Sequence, residues 1–187
     1  HSFDTYQDRF ARKAGIEIGG PSLVFKRGGI FPVYPIAASL NNCNYSKTTI
    51  WDRDAPIEQF YHFDRERPAG RQFIAEATAM EIIPSQSYDF VLSSHVLEHC
   101  ANPVLALTEW KRLLKAGGTL VLMLPNKKHT FDHCRPITTL QHMIADFEAG
   151  MTEDDTTHVA EVLAFHDLAR DPDSGDLESV KLRSAEN

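Results

Sequence analysis

The sequence predicts an α/β protein built on an open, mostly parallel sheet, and three observations carry that prediction. A short apolar run, Ala14-Gly-Ile-Glu-Ile18, stops at two glycines, Gly19 and Gly20. Further strand-like runs follow at Phe73–Thr78, Tyr88–Ser94 and Thr119–Leu124, and the last two are separated by a helical pattern. Strands alternating with helices read as parallel βαβ units. A glycine pair at the exit of a first strand lets the chain turn sharply and leaves room for a ligand against the main chain.

Each element has its own reason. Residues 2–12 predict an amphipathic helix with Phe3, Tyr6 and Phe10 at helical spacing, packed onto the domain. Strand one covers Gly15 to Ile18. No full helix is expected after it, because Pro21, Gly28, Gly29, Pro32 and Pro35 break the segment into turns. Strand two lies within Leu40–Ser46. A short helix is expected near residues 56–62, strand three from Arg71 to Glu76, and strand four from Tyr88 to Ser94. Asn102-Pro103 opens a helix, with asparagine suited to the N-cap and proline to the first turn. Val104, Leu105, Leu107, Trp110, Leu113 and Leu114 form its apolar face, and Gly117 or Gly118 should end it. Strand five runs from Thr119 to Leu124, and two helices follow near 138–148 and 156–170. No convincing strand pair follows Pro125, since Val180-Lys-Leu-Arg183 is short and polar. The edge beside strand five should therefore be covered by a helix or by a second copy in a homodimer.

Composition narrows the function. The chain has 187 residues, 42% of them hydrophobic and 24% charged, which suits one globular domain over 1–187. No apolar stretch approaches the ~20 residues of a membrane span. Lys and Arg number 19 against 26 Asp and Glu, a net charge of −7, which disfavours a nucleic-acid partner. Cys43, Cys100 and Cys134 are odd in number and scattered, as expected of free thiols in a reducing cytoplasm. The chain starts at His1 instead of Met, so a missing natural start or a tag remnant is expected, as is a C-terminus that stops short of the full fold.

Four segments in order carry a family resemblance: Ala14–Ser22, Phe73–Thr78, Ser87-Tyr-Asp-Phe-Val-Leu-Ser-Ser-His-Val-Leu-Glu-His99 and Leu113–Pro125. They resemble class I S-adenosylmethionine-dependent methyltransferases, most of all the small-molecule, type 11-like branch, over roughly the first two thirds of the chain. The resemblance implies a Rossmann-like three-layer sandwich, here lacking or truncating its last two strands. It implies S-adenosylmethionine as cofactor and a small-molecule or saccharide acceptor. It also suggests the placement of the binding residues. Gly19, Gly20, Pro21 and Ser22 form the first turn, with backbone amides facing the amino acid end of the cofactor, and Glu17 lies near its ammonium group. An acid inside a buried strand is costly without such a partner. Asn44 stands where an acid usually grips the ribose, and Asn41, Asn42 or Asp52 would share that role. Glu76, Ala77 and Thr78 match the adenine-binding position, and Ser93 and Ser94 follow strand four at the ligand-binding edge. Asp89 and His99 read as structural, His99 hydrogen-bonded inside the fold.

The acceptor side offers two groups. His95 sits where substrate should enter. Asp132 and His133 suit a carboxylate-oriented imidazole acting as general base, with Arg135 and His129 toward the acceptor. The same residues also suit a network that pins a loop. No metal site is expected, because His95 and His99 straddle a strand end and no paired cysteine motif exists. Two other readings compete. One is a non-catalytic cofactor-binding or assembly module on the same fold. The other is a nicotinamide or nucleotide-sugar enzyme, which Gly19-Gly-Pro-Ser22 disfavours because it lacks the Gly-x-Gly-x-x-Gly spacing.

Overall fold

The computed structural model describes residues 3–45, 60–171 and 179. The anticipated roles of Asp52 and of Val180–Arg183, and the first part of the helix near 56–62, lie outside these residues. The described residues fall into two compact units, one within 1–97 and 106–123, the other within 98–105 and 124–187.

The first unit is a six-stranded sheet in the order β3-β4-β2-β1-β5-β6. The strands are β1 (Ala14–Ile18), β2 (Ser39–Asn44), β3 (Phe60–Tyr61), β4 (Gly70–Ile74), β5 (Tyr88–Ser94) and β6 (Leu114–Met123). β1 pairs in parallel with β2 and β5, β2 with β4, and β5 with β6. Only β3 runs antiparallel, against β4. The five anticipated strands are thus all present. The short helix expected near 56–62 is not the state of Phe60 and Tyr61, whose side chains alternate out and in as edge-strand residues. Among the described residues no strand follows Met123, and β6 pairs only with β5.

The segment after β1 explains how a sheet face is covered without a first helix. Only a single 3-10 turn, Leu23–Phe25, interrupts the turns imposed by its prolines and glycines. Aromatic rings do the covering. Phe25, Tyr34 and Phe10 are buried in one cluster with Leu40, Tyr61, Phe63, Phe90 and Leu92. Phe10 meets Phe90 edge-on at 5.3 Å, and Phe3 meets Phe31 at 4.7 Å. The N-terminal stretch that holds Phe3 and Phe10 is two 3-10 turns, Phe3–Thr5 and Gln7–Arg9, and not the anticipated amphipathic helix. Tyr6 accordingly faces outward.

Helix α1 (Pro103–Leu113) begins as the sequence predicts, with the Asn102 side chain accepting from the Leu105 N–H at 3.0 Å. It ends earlier than the glycines suggested. Leu114 already pairs with Tyr88, and the next paired residue opposite Phe90 is Thr119. Lys115–Gly118 therefore bulge out of the strand, with Gly117 at φ 74°. Lys115 reaches from this bulge to Asp89 at 3.0 Å, and Asp89 also accepts the Ala14 N–H, so Asp89 is structural.

Arg112 ties α1 to the loop before β5. Its guanidinium donates to the carbonyls of Met80 at 2.8 Å and Ile83 at 2.9 Å, and pairs with Glu109. Arg112→Met should lower unfolding free energy by about 1.5–3 kcal/mol, the range for hydrogen bonds to a charged group. Urea titration would check this, and an unchanged midpoint would assign the loop's order to packing of Met80 and Ile83 alone.

The second unit holds α2 (Leu140–Ala149) and α3 (Val159–Phe165), close to the two anticipated helices. Thr139 caps α2 by accepting the His142 N–H, and Gly150 closes it in the left-handed conformation. None of the described apolar side chains of this unit is fully buried. Among all described residues, no helix is long and apolar enough to cross a membrane.

Candidate active site

The parallel pairing of β1, β2, β4 and β5 places their carboxyl ends on one rim, which is where open α/β sheets bind ligands. Gly19 follows β1 and donates to the Cys43 carbonyl at 2.9 Å, while the Ala75 N–H donates to Asn44 across the next pair. Gly19 and Glu76 therefore leave the sheet on the same side.

A cleft of about 370 Å³ opens on this rim, lined by Gly19, Pro21, Ser22, Leu23, Val24, Ser94 and His95. Its volume falls within the usual range for ligand pockets. Five of these residues are ones the sequence singled out. Leu23 and Val24 were not, because the missing helix hid what their segment packs against. A wider depression of about 630 Å³ lies at Phe60 and Ala69–Gln72, around the start of β4, away from these motif residues.

Glycine is required at both positions of the turn. Gly19 has φ 80°, and a Cβ there would come within 2.3 Å of Val96. A Cβ on Gly20 would lie 2.4 Å from the Glu17 carboxyl carbon and 2.5 Å from the Tyr61 hydroxyl. The Gly20–Pro21 peptide is cis.

Below the turn, Glu17 is fully buried. Its Oε2 accepts from the hydroxyls of Tyr34 and Tyr61, each at 2.5 Å, and Oε1 accepts the Ser22 N–H at 3.1 Å. Burial pushes its carboxyl above the usual range, and hydrogen bonds from Ser22, Tyr34 and Tyr61 pull it back. Burial also raises both tyrosine hydroxyls, reinforced by the Glu17 charge, so they serve as donors. Glu17 thus already has three donors, and its carboxylate braces the turn from beneath.

The turn's amides are likewise engaged. The Gly20 N–H donates to Asn42 Oδ1 at 3.0 Å, and Asn42 Nδ2 returns a bond to the Gly20 carbonyl at 3.2 Å. With Gly19 bound to Cys43, Pro21 lacking an N–H and Ser22 bound to Glu17, the expectation of free backbone donors is corrected. The fully buried Asn42 holds the turn in this way. Asn44 is drawn into the same clamp, donating to the Gly20 carbonyl at 3.3 Å and accepting from Asn42. Asn41 faces elsewhere, bonding Tyr88 and the Arg71 N–H.

Beyond β4, Glu76, Ala77 and Thr78 are half-buried, and Glu76 forms a bridge with Ala79. The Ala77 carbonyl accepts from Trp110 Nε1 at 3.0 Å. Burial pushes the neighbouring Cys43 thiol up to about 11, so it is an inert core group. Ser93 is buried, whereas Ser94 faces the cleft. His95 has φ 57°, unusual for a residue with a side chain, and its N–H is held by the Met123 carbonyl at 3.0 Å. Its Nδ1 lies 3.0 Å from Ser94 Oγ. When Nδ1–H donates to that hydroxyl, Nε2 keeps its lone pair.

The other predicted residues belong to the second unit. Asp132 pairs with Arg135 at 3.2 Å, not with His133, and Arg135 also meets Glu161 at 3.2 Å. The carboxylate facing His133 is Asp167, 3.7 Å away, contributed from beyond α3 where sequence spacing could not point to it. His166 stacks on Phe131 and bonds Asp171 at 3.1 Å. Within this network Asp132 Oδ1, His133 Nδ1 and His166 Nδ1 are buried with no hydrogen-bond partner among the described residues. Such atoms call for a polar ligand or water. His129 is exposed, and so is His99, contrary to the expected internal hydrogen bond; the charge of His99 acts on Glu153.

Residues 38–122 match a family model described as a methyltransferase domain. The match runs from β2 into β6, stopping at Leu122, and carries the Ser87–His99 block. Residues 38–122 are thus similar to a methyltransferase domain. A candidate methyltransferase from Bacillus halodurans C-125 is similar in structure, with 16% identity and a TM-score of 0.46 over 64% of this chain and 48% of that one. A chain of the Haloferax volcanii complex between the Trm112 methyltransferase activator and a candidate methyltransferase shows 16% identity and a TM-score of 0.41, over 65% and 50%. The chain thus spans about half the length of these structures. Among curated proteins none matches this sequence.

Proposed function

We propose that this protein transfers a methyl group from S-adenosylmethionine to a small-molecule or saccharide acceptor. The observation that carries this reading is the cleft at the ends of β1 and β5, where Gly19, Pro21 and Ser22 meet Ser94 and His95, the last two inside the stretch that matches a methyltransferase domain. The cofactor, when bound, supplies an electrophilic methyl on a sulfonium. The residues fit it in part. Gly19 to Ser22 would lie along its amino acid end, meeting it by shape, and Glu76 with the Ala77 N–H would take the adenine. Glu17 would hold the turn and not the ligand.

Alignment is the protein's main contribution, and oriented reactants can gain roughly 7–11 kcal/mol. His95, at the cleft, would take the acceptor's proton on Nε2 while Ser94 holds Nδ1–H. Within the second unit, the orphaned polar atoms of Asp132 and His133 would take a polar ligand or water of their own.

One observation favours a second reading, a non-catalytic module: every N–H of the Gly19–Ser22 turn is already engaged. Calorimetry with S-adenosylhomocysteine on the 187-residue chain, followed by turnover across small-molecule and saccharide panels, separates the two. Binding with turnover is expected. His95→Ala should then reduce kcat by about 10²–10⁴, the usual range for a general base, while leaving cofactor affinity within a few fold. If His95→Ala leaves turnover unaltered, the acceptor assignment is wrong. Binding without turnover supports the module, and absence of binding removes both.

A further inference from the structure

We propose that His142, Asp146 and His158 form a binding site for one divalent transition-metal ion of the zinc class. One nitrogen from each imidazole and one Asp146 carboxylate oxygen lie within 4.8 Å of one another. His142 Nε2 is 3.3 Å from Asp146 Oδ2 and 3.4 Å from His158 Nε2. Zinc–nitrogen and zinc–oxygen bonds of about 2.0–2.1 Å in a tetrahedron put neighbouring ligand atoms about 3.3 Å apart. The spacing therefore matches a coordination edge and not just a crowded surface.

The fold sets up this spacing. His142 and Asp146 are four residues apart on α2 and so share one face. Thr139 and Gly150 cap the helix at its two ends and fix its register. An Asx turn then brings the chain back: Asp155 Oδ1 accepts the Thr157 N–H at 2.8 Å and also its hydroxyl. His158 follows directly as the residue preceding α3, with its ring 5.1 Å from that of His142 at 65°. Sequence spacing alone does not reveal the set, because His158 joins it only through this turn.

Two features favour an ion over a simple polar contact. The two Nε2 atoms face one another at 3.4 Å, where at most one proton can be shared, whereas a cation accepts both lone pairs together with the carboxylate. The unit also has no fully buried apolar side chain among its described residues, and small units without a core commonly depend on a metal or disulfide staple. The His₂Asp set is borderline in softness, which suits zinc, cobalt or nickel better than calcium or magnesium. His142 is partly exposed, which leaves coordination positions open to water or a small ligand.

The test is equilibrium dialysis of the metal-stripped 187-residue chain against Zn²⁺, with cobalt substitution read by visible absorption. One ion per chain is expected, with cobalt bands typical of mixed nitrogen and oxygen ligation. His142→Ala and His158→Ala should each weaken binding by more than about 100-fold, beyond what losing a hydrogen-bond partner of a ligand produces. Asp146→Asn, nearly isosteric, guards against misfolding as the explanation and should also weaken it. His62→Gln, in the other unit, should bind as the parent does. A folded parent chain that retains no ion, or three variants that bind as tightly as the parent, overturns the site. This result is independent of whether methyl transfer occurs.

Discussion

Gly20→Ala is expected to abolish S-adenosylhomocysteine binding and to lower the melting temperature by several degrees. The added methyl would meet the Glu17 carboxylate and the Tyr61 hydroxyl at 2.4–2.5 Å. Neither neighbour can withdraw, because the two are bonded to each other in the core. Nor can the turn rise, because Asn42 grips Gly20 at both its N–H and its carbonyl. Overpacking of this kind costs about 1–3 kcal/mol, and the displaced turn would distort the floor of the cleft. Calorimetry and thermal unfolding on the same preparation check both effects. Wild-type affinity in a folded variant would show that the ligand does not touch this turn.

Glu17→Ala should be the most destabilising single change in the sheet unit, at roughly 1–3 kcal/mol for each buried donor left without its acceptor. Tyr34 and Tyr61 would lose their carboxylate acceptor, while the Ser22 N–H would keep only the Tyr34 hydroxyl at 2.9 Å. Glu17→Gln separates charge from shape. The folded carboxyl titrates above its ordinary 4.5, so the unfolded chain releases its proton first as pH rises. Glu17 therefore supports folding most fully below pH 4.5, and its contribution declines as pH climbs from there through the folded value. The stability of the parent relative to Glu17→Gln should fall along that interval in urea titrations at successive pH values. A gap that instead widened with pH would mean that the three hydrogen bonds outweigh burial.

The strands were legible because their apolar runs are long and continuous: β5 spans Tyr88–Ser94 as expected. The absent first helix was legible too, since proline and glycine punctuation is a local signal. The end of α1 was misread because a glycine pair ordinarily closes a helix, whereas here register with Tyr88 captures Leu114 and pushes the glycines into a bulge. Residues 2–12 carry helical spacing, yet Phe3–Arg9 form two short turns whose neighbouring rings Phe3 and Phe10 meet Phe31 and Phe90. At the site, the type and position of Glu17 were visible, but its partners were not. Tyr34 and Tyr61 lie 17 and 44 residues away, and nothing in the sequence ties them to an acid in β1. The same limit applies to Asp167 opposite His133 and to His158 opposite His142.

Because Phe3 and Phe10 roof the sheet together with Phe31 and Phe90, the leading residues are a structural panel and not a dispensable tail. Proteolytic trimming up to Ala11 would uncover a greasy surface on the wall opposite Ile16 and Ile18, and shortened preparations would be prone to self-association. Fusion partners and affinity handles attached ahead of Phe3 need a spacer long enough to let those two rings seat.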